Sequence, residues 1–385
     1  MQPANTSFNL NHSSTPNAQG LTLIELMVAM AISVIVSIAI FEIFMQTEYG
    51  YLHNRGTGDI VNADRHALHV VSTYLSNAGY GMAGLPGCQT TYTYQNTAIT
   101  PVSAITVSPD GIPTTSAPQP VSLTINISAS QFAGVPIGQM VQSPSPSATN
   151  FHLNSQPGAG TTCQTSIQSG DTLIAAFSGG ACGMVVATNT PSSQNGACVI
   201  NFAPGRNPNN PPGGFNSLIP NLTAAEMTAA QVYDVGSSQL SSLTFSVVPG
   251  TTAAPGQLQI SSGGGTPALF AQGIDDLQVL FGYNTTGGQS VTSYGYFPTP
   301  QQLSLTPSLI SDIRTVMVVM VAQSGLKTAG TVTPTKLLLI PAIPASESVT
   351  RADLPAVYYQ PPAGVNSEQF NVMRTTVPVM NLIWH

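Results

Sequence analysis

At 385 residues the chain has room for one large domain or two modest ones. Charged residues make up only 6%, against about 25% in typical soluble proteins, so polarity rests on Ser, Thr, Asn and Gln among 35 Gly and 31 Pro, as suits an extracellular surface whose charge barely follows pH. The net charge is −7, and the eight bases (Arg55, Arg65, Arg206, Arg314, Lys327, Lys336, Arg351, Arg374) are scattered, which leaves nucleic-acid binding without electrostatic support.

In chain order, residues 1–20 form a polar leader with no periodic pattern and no Lys or Arg. An apolar run follows: from Leu26 to Phe41 only Ser33 and Ser37 interrupt it. As a helix, Leu21–Met45 would span roughly 37 Å at ~1.5 Å per residue, enough to cross a hydrocarbon core of about 30 Å. Glu25 does not fit a plain anchor. A carboxylate in a membrane helix costs about 2.5–3.5 kcal/mol on insertion scales, so it calls for a partner or a function. An ordinary signal peptide is a poor fit, because the run is too long and no basic residue precedes it. Ala29, Ser33 and Ser37 recur every four residues. They offer either a small-residue face for helix packing or two hydroxyls bonded to their own backbone.

Gly20-Leu-Thr-Leu-Ile-Glu25 resembles the cleavage and N-methylation site of type IV prepilins and secretion pseudopilins. The resemblance implies that a membrane prepilin peptidase cuts after Gly20 and methylates the new N-terminus, Leu21. It also implies that Glu25 pairs with the N-terminal amine of a neighbouring subunit. An opposite charge is what makes a buried carboxylate tolerable.

Residues 46–79 read as the second half of this helix. Gly50, Gly56 and Gly58 each cost up to about 1 kcal/mol in a helix, so a bend or melted stretch is expected there. Ile60–Ala78 then resumes a helical period, with Val61, Leu68, Val71, Leu75 and Ala78 on one face. Asp64, Arg65, His66 and His69 tend to the other. Gly79 is placed to end the helix. Gly79-Tyr-Gly-Met-Ala-Gly84 matches a dinucleotide fingerprint only in letters, since a helix and not a strand precedes it. His66 and His69 lack a third metal ligand, and the four cysteines lack C-x-x-C spacing. No metal or other cofactor is expected.

From Thr90 onward short β-like runs alternate with Pro/Gly/Ser turns. Strands are expected at Val102–Val107, Val121–Ile127, Thr172–Phe177, Gly183–Ala187, Cys198–Phe202, Ser242–Val248, Gln257–Ser261, Ile274–Tyr283, Ile313–Ala322 and Lys336–Ile340. A short helix is expected at Thr223–Val232, with loops at 207–214 and 263–265. Cys88, Cys163, Cys182 and Cys198 allow two disulfides in three connectivities. The turn-rich 188–196 segment favours Cys182 with Cys198, leaving Cys88 with Cys163. Asp275 and Asp276 are an acidic pair in a strand, where alternation turns one inward and one outward. No G-x-S-x-G or H-E-x-x-H occurs, and no enzymatic activity is expected.

Thr73-Tyr-Leu-Ser-Asn-Ala-Gly-Tyr80, Gly170-Asp-Thr-Leu-Ile174, Ala271-Gln-Gly-Ile-Asp-Asp-Leu-Gln-Val-Leu-Phe-Gly-Tyr283, Ile313–Val321 and Phe370–Val377 resemble segments of the PilW family of minor pilins. The resemblance implies an α+β pilin-type fold, with residues 80–385 as a β-rich head on a long N-terminal helix. It implies an inner-membrane subunit with a periplasm-facing head before assembly, and pilus initiation or tip assembly as its function. Implied partners are prepilin peptidase, other minor and major pilins, and a tip adhesin. Two alternatives remain: a J-type pseudopilin of a type II secretion system, and a tip adhesin whose head binds a surface.

Overall fold

The computed structural model describes residues 22–379 except 83–84, 86–87, 89, 96–97, 114–117, 131–135, 142–144, 155–162, 164–166, 195, 229, 238–240, 252–253, 325–332 and 366. The chain divides into two compact units, Met1–His53 and Asn54–His385. The first is described here by one element, the helix Leu23–Ser76, whose later part belongs to the second unit. That helix runs without interruption through Gly50, Gly56 and Gly58, so the expected melting is absent. Glycine weakens a helix without breaking it, and helix propagation is cooperative, so the turns on either side carry the hydrogen bonding across.

The second unit packs the helix face of Ile60, Ala67, Leu68, Val71 and Leu75 into a core with two sheets. A four-stranded sheet has the order Ser293–Gly295, Ile274–Tyr283, Ile313–Gln323, Phe370–Pro378, all antiparallel. It gives Leu277, Val279, Phe281, Val316, Val318 and Met320 to this core. A five-stranded sheet adds Leu123, Ile125, Phe245 and Leu258. The helix ends at Ser76. Gly79, at φ 75°, then turns the chain, and its N–H donates to the Asn126 carbonyl at 2.8 Å. Only a residue tolerant of positive φ makes that turn cheaply.

The rest of the head holds a six-stranded, a three-stranded and a two-stranded sheet. Among the described strands pairing is antiparallel except between Thr90–Gln95 and Ala181–Val186, which run parallel; a lone parallel bridge also joins Tyr294 to Ser348. A second core gathers Phe151, Phe177, Phe202 and Phe215 around one another. The layout is α+β: a long N-terminal helix and a β-rich head.

Most expected strands appear within a few residues, and Ile274–Tyr283 coincides at both ends. The expected helix at Thr223–Val232 shrinks to Ala224–Met227. Its start is a capping box, in which Thr223 Oγ1 accepts from the Glu226 N–H and Glu226 accepts from Thr223. Gln231–Ser237 is a strand instead, because Val232, Tyr233 and Val235 bury their side chains within the six-stranded sheet. Tertiary burial here outweighs local propensity.

Cysteine pairing also differs from expectation. The disulfides are Cys88–Cys182 and Cys163–Cys198, each with a Cα–Cα distance of 5.5 Å. Cys182 lies in the six-stranded sheet and Cys198 in the three-stranded one, and the two side chains enter different hydrophobic clusters. Closeness in sequence did not translate into closeness in space, because the chain changes sheets between them.

Candidate functional site

Gly20 and Leu21 lie outside the described residues; Thr22 and Glu25 open the helix. The Glu25 carboxylate accepts from the Thr22 backbone N–H and from Thr22 Oγ1, both at 2.9 Å. Thr22 Oγ1 in turn accepts from the Glu25 N–H at 3.4 Å. This reciprocal arrangement satisfies donors that every helix N-terminus leaves open, and it places a negative charge at the positive end of the helix dipole. Thr22 was missed at the level of sequence. Its signal was the Thr-x-x-Glu spacing immediately before an apolar run.

Along the following turns, Leu23, Ile24, Met27, Met30, Ile35, Phe41 and Phe44 are all more than half exposed. Such a continuous apolar surface marks a site of membrane or protein contact. The helix is long and apolar enough to cross a membrane. Ser33 Oγ donates to the Met30 carbonyl at 2.9 Å and Ser37 Oγ to the Ser33 carbonyl at 2.7 Å. Both hydroxyls are thus neutralised within the helix, which lowers the cost of placing them in lipid.

The other singled-out residues fall elsewhere. His66 stacks on Phe270 with ring centroids 5.5 Å apart. Among the described residues no group of three or more His, Cys, Asp or Glu is arranged to hold a metal. Asp64 is a correction: it sits on the buried face of the helix, fully enclosed, with neither carboxylate oxygen hydrogen-bonded. Burial pushes its pKa up to about 7.

Asp275 and Asp276 are a second correction, since both are buried. The register against Ile313–Gln323 slips between Ile274 and Asp276, so a bulge defeats simple alternation. Asp275 Oδ1 accepts from the N–H groups of Gly250 (3.1 Å) and Gly256 (2.7 Å), and Oδ2 accepts from Tyr359 Oη at 2.8 Å. Gln278 Nε2 donates to Asp276 at 2.9 Å. Burial raises both carboxyls, that of Asp276 to about 7, while these bonds pull the other way. Asp275 ties Gly250, Gly256 and the Val357–Tyr359 strand to the central strand, and Asp276 bonds Gln278 within that strand; both roles are structural.

Residues 15–41 match the family described as the prokaryotic N-terminal methylation motif. No curated protein and no solved structure matches the chain. The matched segment contains Thr22, Glu25 and the exposed apolar turns as far as Phe41, where the continuous apolar run ends. A helix long and apolar enough to cross a membrane, headed by this motif, supports a type IV pilin- or pseudopilin-type prepilin of the kind that prepilin peptidase processes.

Proposed function

We propose that the chain is a minor pilin of the PilW kind that helps initiate or cap a type IV pilus. In this reading prepilin peptidase cuts after Gly20 and methylates Leu21. The subunit waits in the inner membrane with its head in the periplasm. It then joins other pilins by packing its exposed apolar helix against theirs. The observation that carries the reading is Glu25, a carboxylate in the first turn of an otherwise lipid-compatible helix.

Among the described residues Glu25 accepts hydrogen bonds only from Thr22. Two neutral donors do not cancel a full charge in hydrocarbon, so residence in lipid stays costly. The methylated amine of a neighbour's Leu21 supplies that missing charge, and assembly is favoured over storage. Glu25→Leu therefore leaves cleavage and insertion intact but lowers the ratio of protein in sheared pili to protein in membranes. Glu25→Gln separates charge from polarity. An unchanged ratio in Glu25→Leu, with the methylated terminus verified, removes charge pairing from the mechanism.

A further inference from the structure

Strand edges carry unpaired backbone groups, and proteins keep exposed edges short to avoid unwanted pairing. Among the described residues every edge strand of this head but one is three to five residues long: Ala98–Pro101, Ile105–Ser108, Pro136–Gln139, Asn150–Leu153, Ser192–Gln194, Ala268–Gln272, Ser293–Gly295, Leu337–Ile340 and Val357–Tyr359. The exception is Phe370–Pro378, with nine residues, at the edge of the four-stranded sheet.

Its hydrogen-bonding parity is fixed at both ends. The Val379 N–H donates to the Arg314 carbonyl at 3.0 Å, and the Ser324 N–H donates to the Gln369 carbonyl at 2.9 Å. The ladder between them is unbroken, so odd-numbered residues turn their backbone groups toward Ile313–Gln323. Phe370, Val372, Arg374 and Thr376 consequently point N–H and C=O groups outward. Among the described residues no backbone or side-chain group meets those outward groups. The strand is half-exposed to exposed along most of its length.

Two of these even-numbered residues, Arg374 and Thr376, border a mainly apolar groove of about 530 Å³, lined also by Leu280, Met317, Leu338, Ile343 and Glu347 among others. Leu338, at 42% exposure, is one of the few large apolar side chains the head leaves open. Arg374 reaches over to the carbonyls of Leu338 and Leu339 and forms no ion pair among the described residues. Its charge borders an open edge and a groove whose lining includes one carboxylate, that of Glu347.

We infer that Phe370–Pro378 is a docking edge for an extended segment of a different protein, which joins the sheet as a further strand. Main-chain bonds supply the affinity, and side chains on alternate residues supply the specificity. The segment places an apolar side chain toward the groove and a carboxylate opposite Arg374. A second copy of this chain is the poorer occupant: two-fold antiparallel pairing of all nine residues sets each copy's Arg374 directly against the other's, and like charges opposite each other destabilise a pair. The inference stands on the edge alone and holds whether or not the chain is a pilin.

The test uses the full chain in detergent and a defined probe, the fluorescein-labelled peptide Thr-Thr-Val-Thr-Glu-Thr-Val-Thr-Thr, whose two valines and central Glu share the face that meets Arg374 and the groove. A second probe carries Lys at the central position. Val372→Pro and Thr376→Pro each remove one outward N–H while leaving the inward ladder whole, which is where a strand tolerates proline. Fluorescence anisotropy is expected to show the Glu peptide binding wild type at least tenfold more tightly than either proline variant, and more tightly than the Lys peptide does. Hydrogen exchange at Val372, Arg374 and Thr376 is expected to be fast in the free protein and slowed at least tenfold by the Glu peptide. Equal affinity for wild type and both variants, no measurable binding, or slow exchange before any peptide is added would each overturn the inference. The last result would mean that the chain already covers its own edge.

Discussion

Asp64 offers the sharpest quantitative prediction. Its carboxyl is enclosed between the helix and the head, in phase with Ile60 and Leu68, and no hydrogen bond reaches it. Burial raises its pKa from 3.8 to about 7. Between those values the folded state holds a proton that the unfolded state has released. Stability therefore falls as pH rises, by about 1.4 kcal/mol per unit, and levels off once the folded group also ionises. A shift of about three units gives roughly 4 kcal/mol between pH 4 and pH 8, as an upper bound. Asp64→Asn keeps the volume and removes the titration. Urea unfolding of both proteins in detergent gives the difference in stability at each pH, and the contribution of Asp276, common to both, cancels. The variant is expected to match wild type within about 1 kcal/mol near pH 4 and to exceed it by several kcal/mol at pH 8. A difference that stays flat from pH 4 to pH 8 would refute the argument that burial without a partner governs this group.

Three further outcomes are expected. Non-reducing peptide mapping recovers Cys88 linked to Cys182 and Cys163 linked to Cys198, and recovery of a Cys182–Cys198 peptide contradicts the fold. Loss of either bridge costs about 4 to 5 kcal/mol in the chain-entropy model, since 94 and 35 residues separate the pairs. Gly50→Ala and Gly58→Ala each stabilise the helix by about 0.5–1 kcal/mol, because an added Cβ meets no atom within 4 Å at either site; circular dichroism during thermal unfolding measures it, and destabilisation by both would refute a continuous helix there. Gly256→Ala is severely destabilising, because its Cβ would collide with the Asp275 carboxylate and the Ile274 carbonyl; wild-type resistance to proteolysis would contradict it.

The anchor was legible in the sequence because lipid imposes one continuous apolar stretch on a helix, and Leu26–Phe41 supplies it. The central strand was legible because a run rich in Leu, Val, Phe and Tyr, Leu277–Tyr283, lies between the turn signals Gly273 and Asn284-Thr-Thr-Gly287. What stayed hidden depended on geometry beyond the local pattern. Asp64 was assigned to the solvent face by its polarity, although four residues separate it from Ile60 and from Leu68, which puts it on their face. Asp275 and Asp276 were split by alternation, which a bulge suspends. The disulfides depended on which sheet each strand joins. Strand composition alone does not reveal that Phe370–Pro378 forms an edge, since only the sheet order decides it. At the N-terminus the sequence pointed to Glu25 but not to Thr22, whose capping role emerges from the helix geometry.

The central claim is that residues 15–41 are a working prepilin signal with cleavage between Gly20 and Leu21. Mass spectrometry of the N-terminal peptide from surface filaments or membranes tests it most directly. The account predicts a mature chain that begins with N-methyl-Leu21, together with loss of this species in Gly20→Val and a milder loss in Gly20→Ala. An intact Met1, or a mature N-terminus beyond Met45, would contradict it.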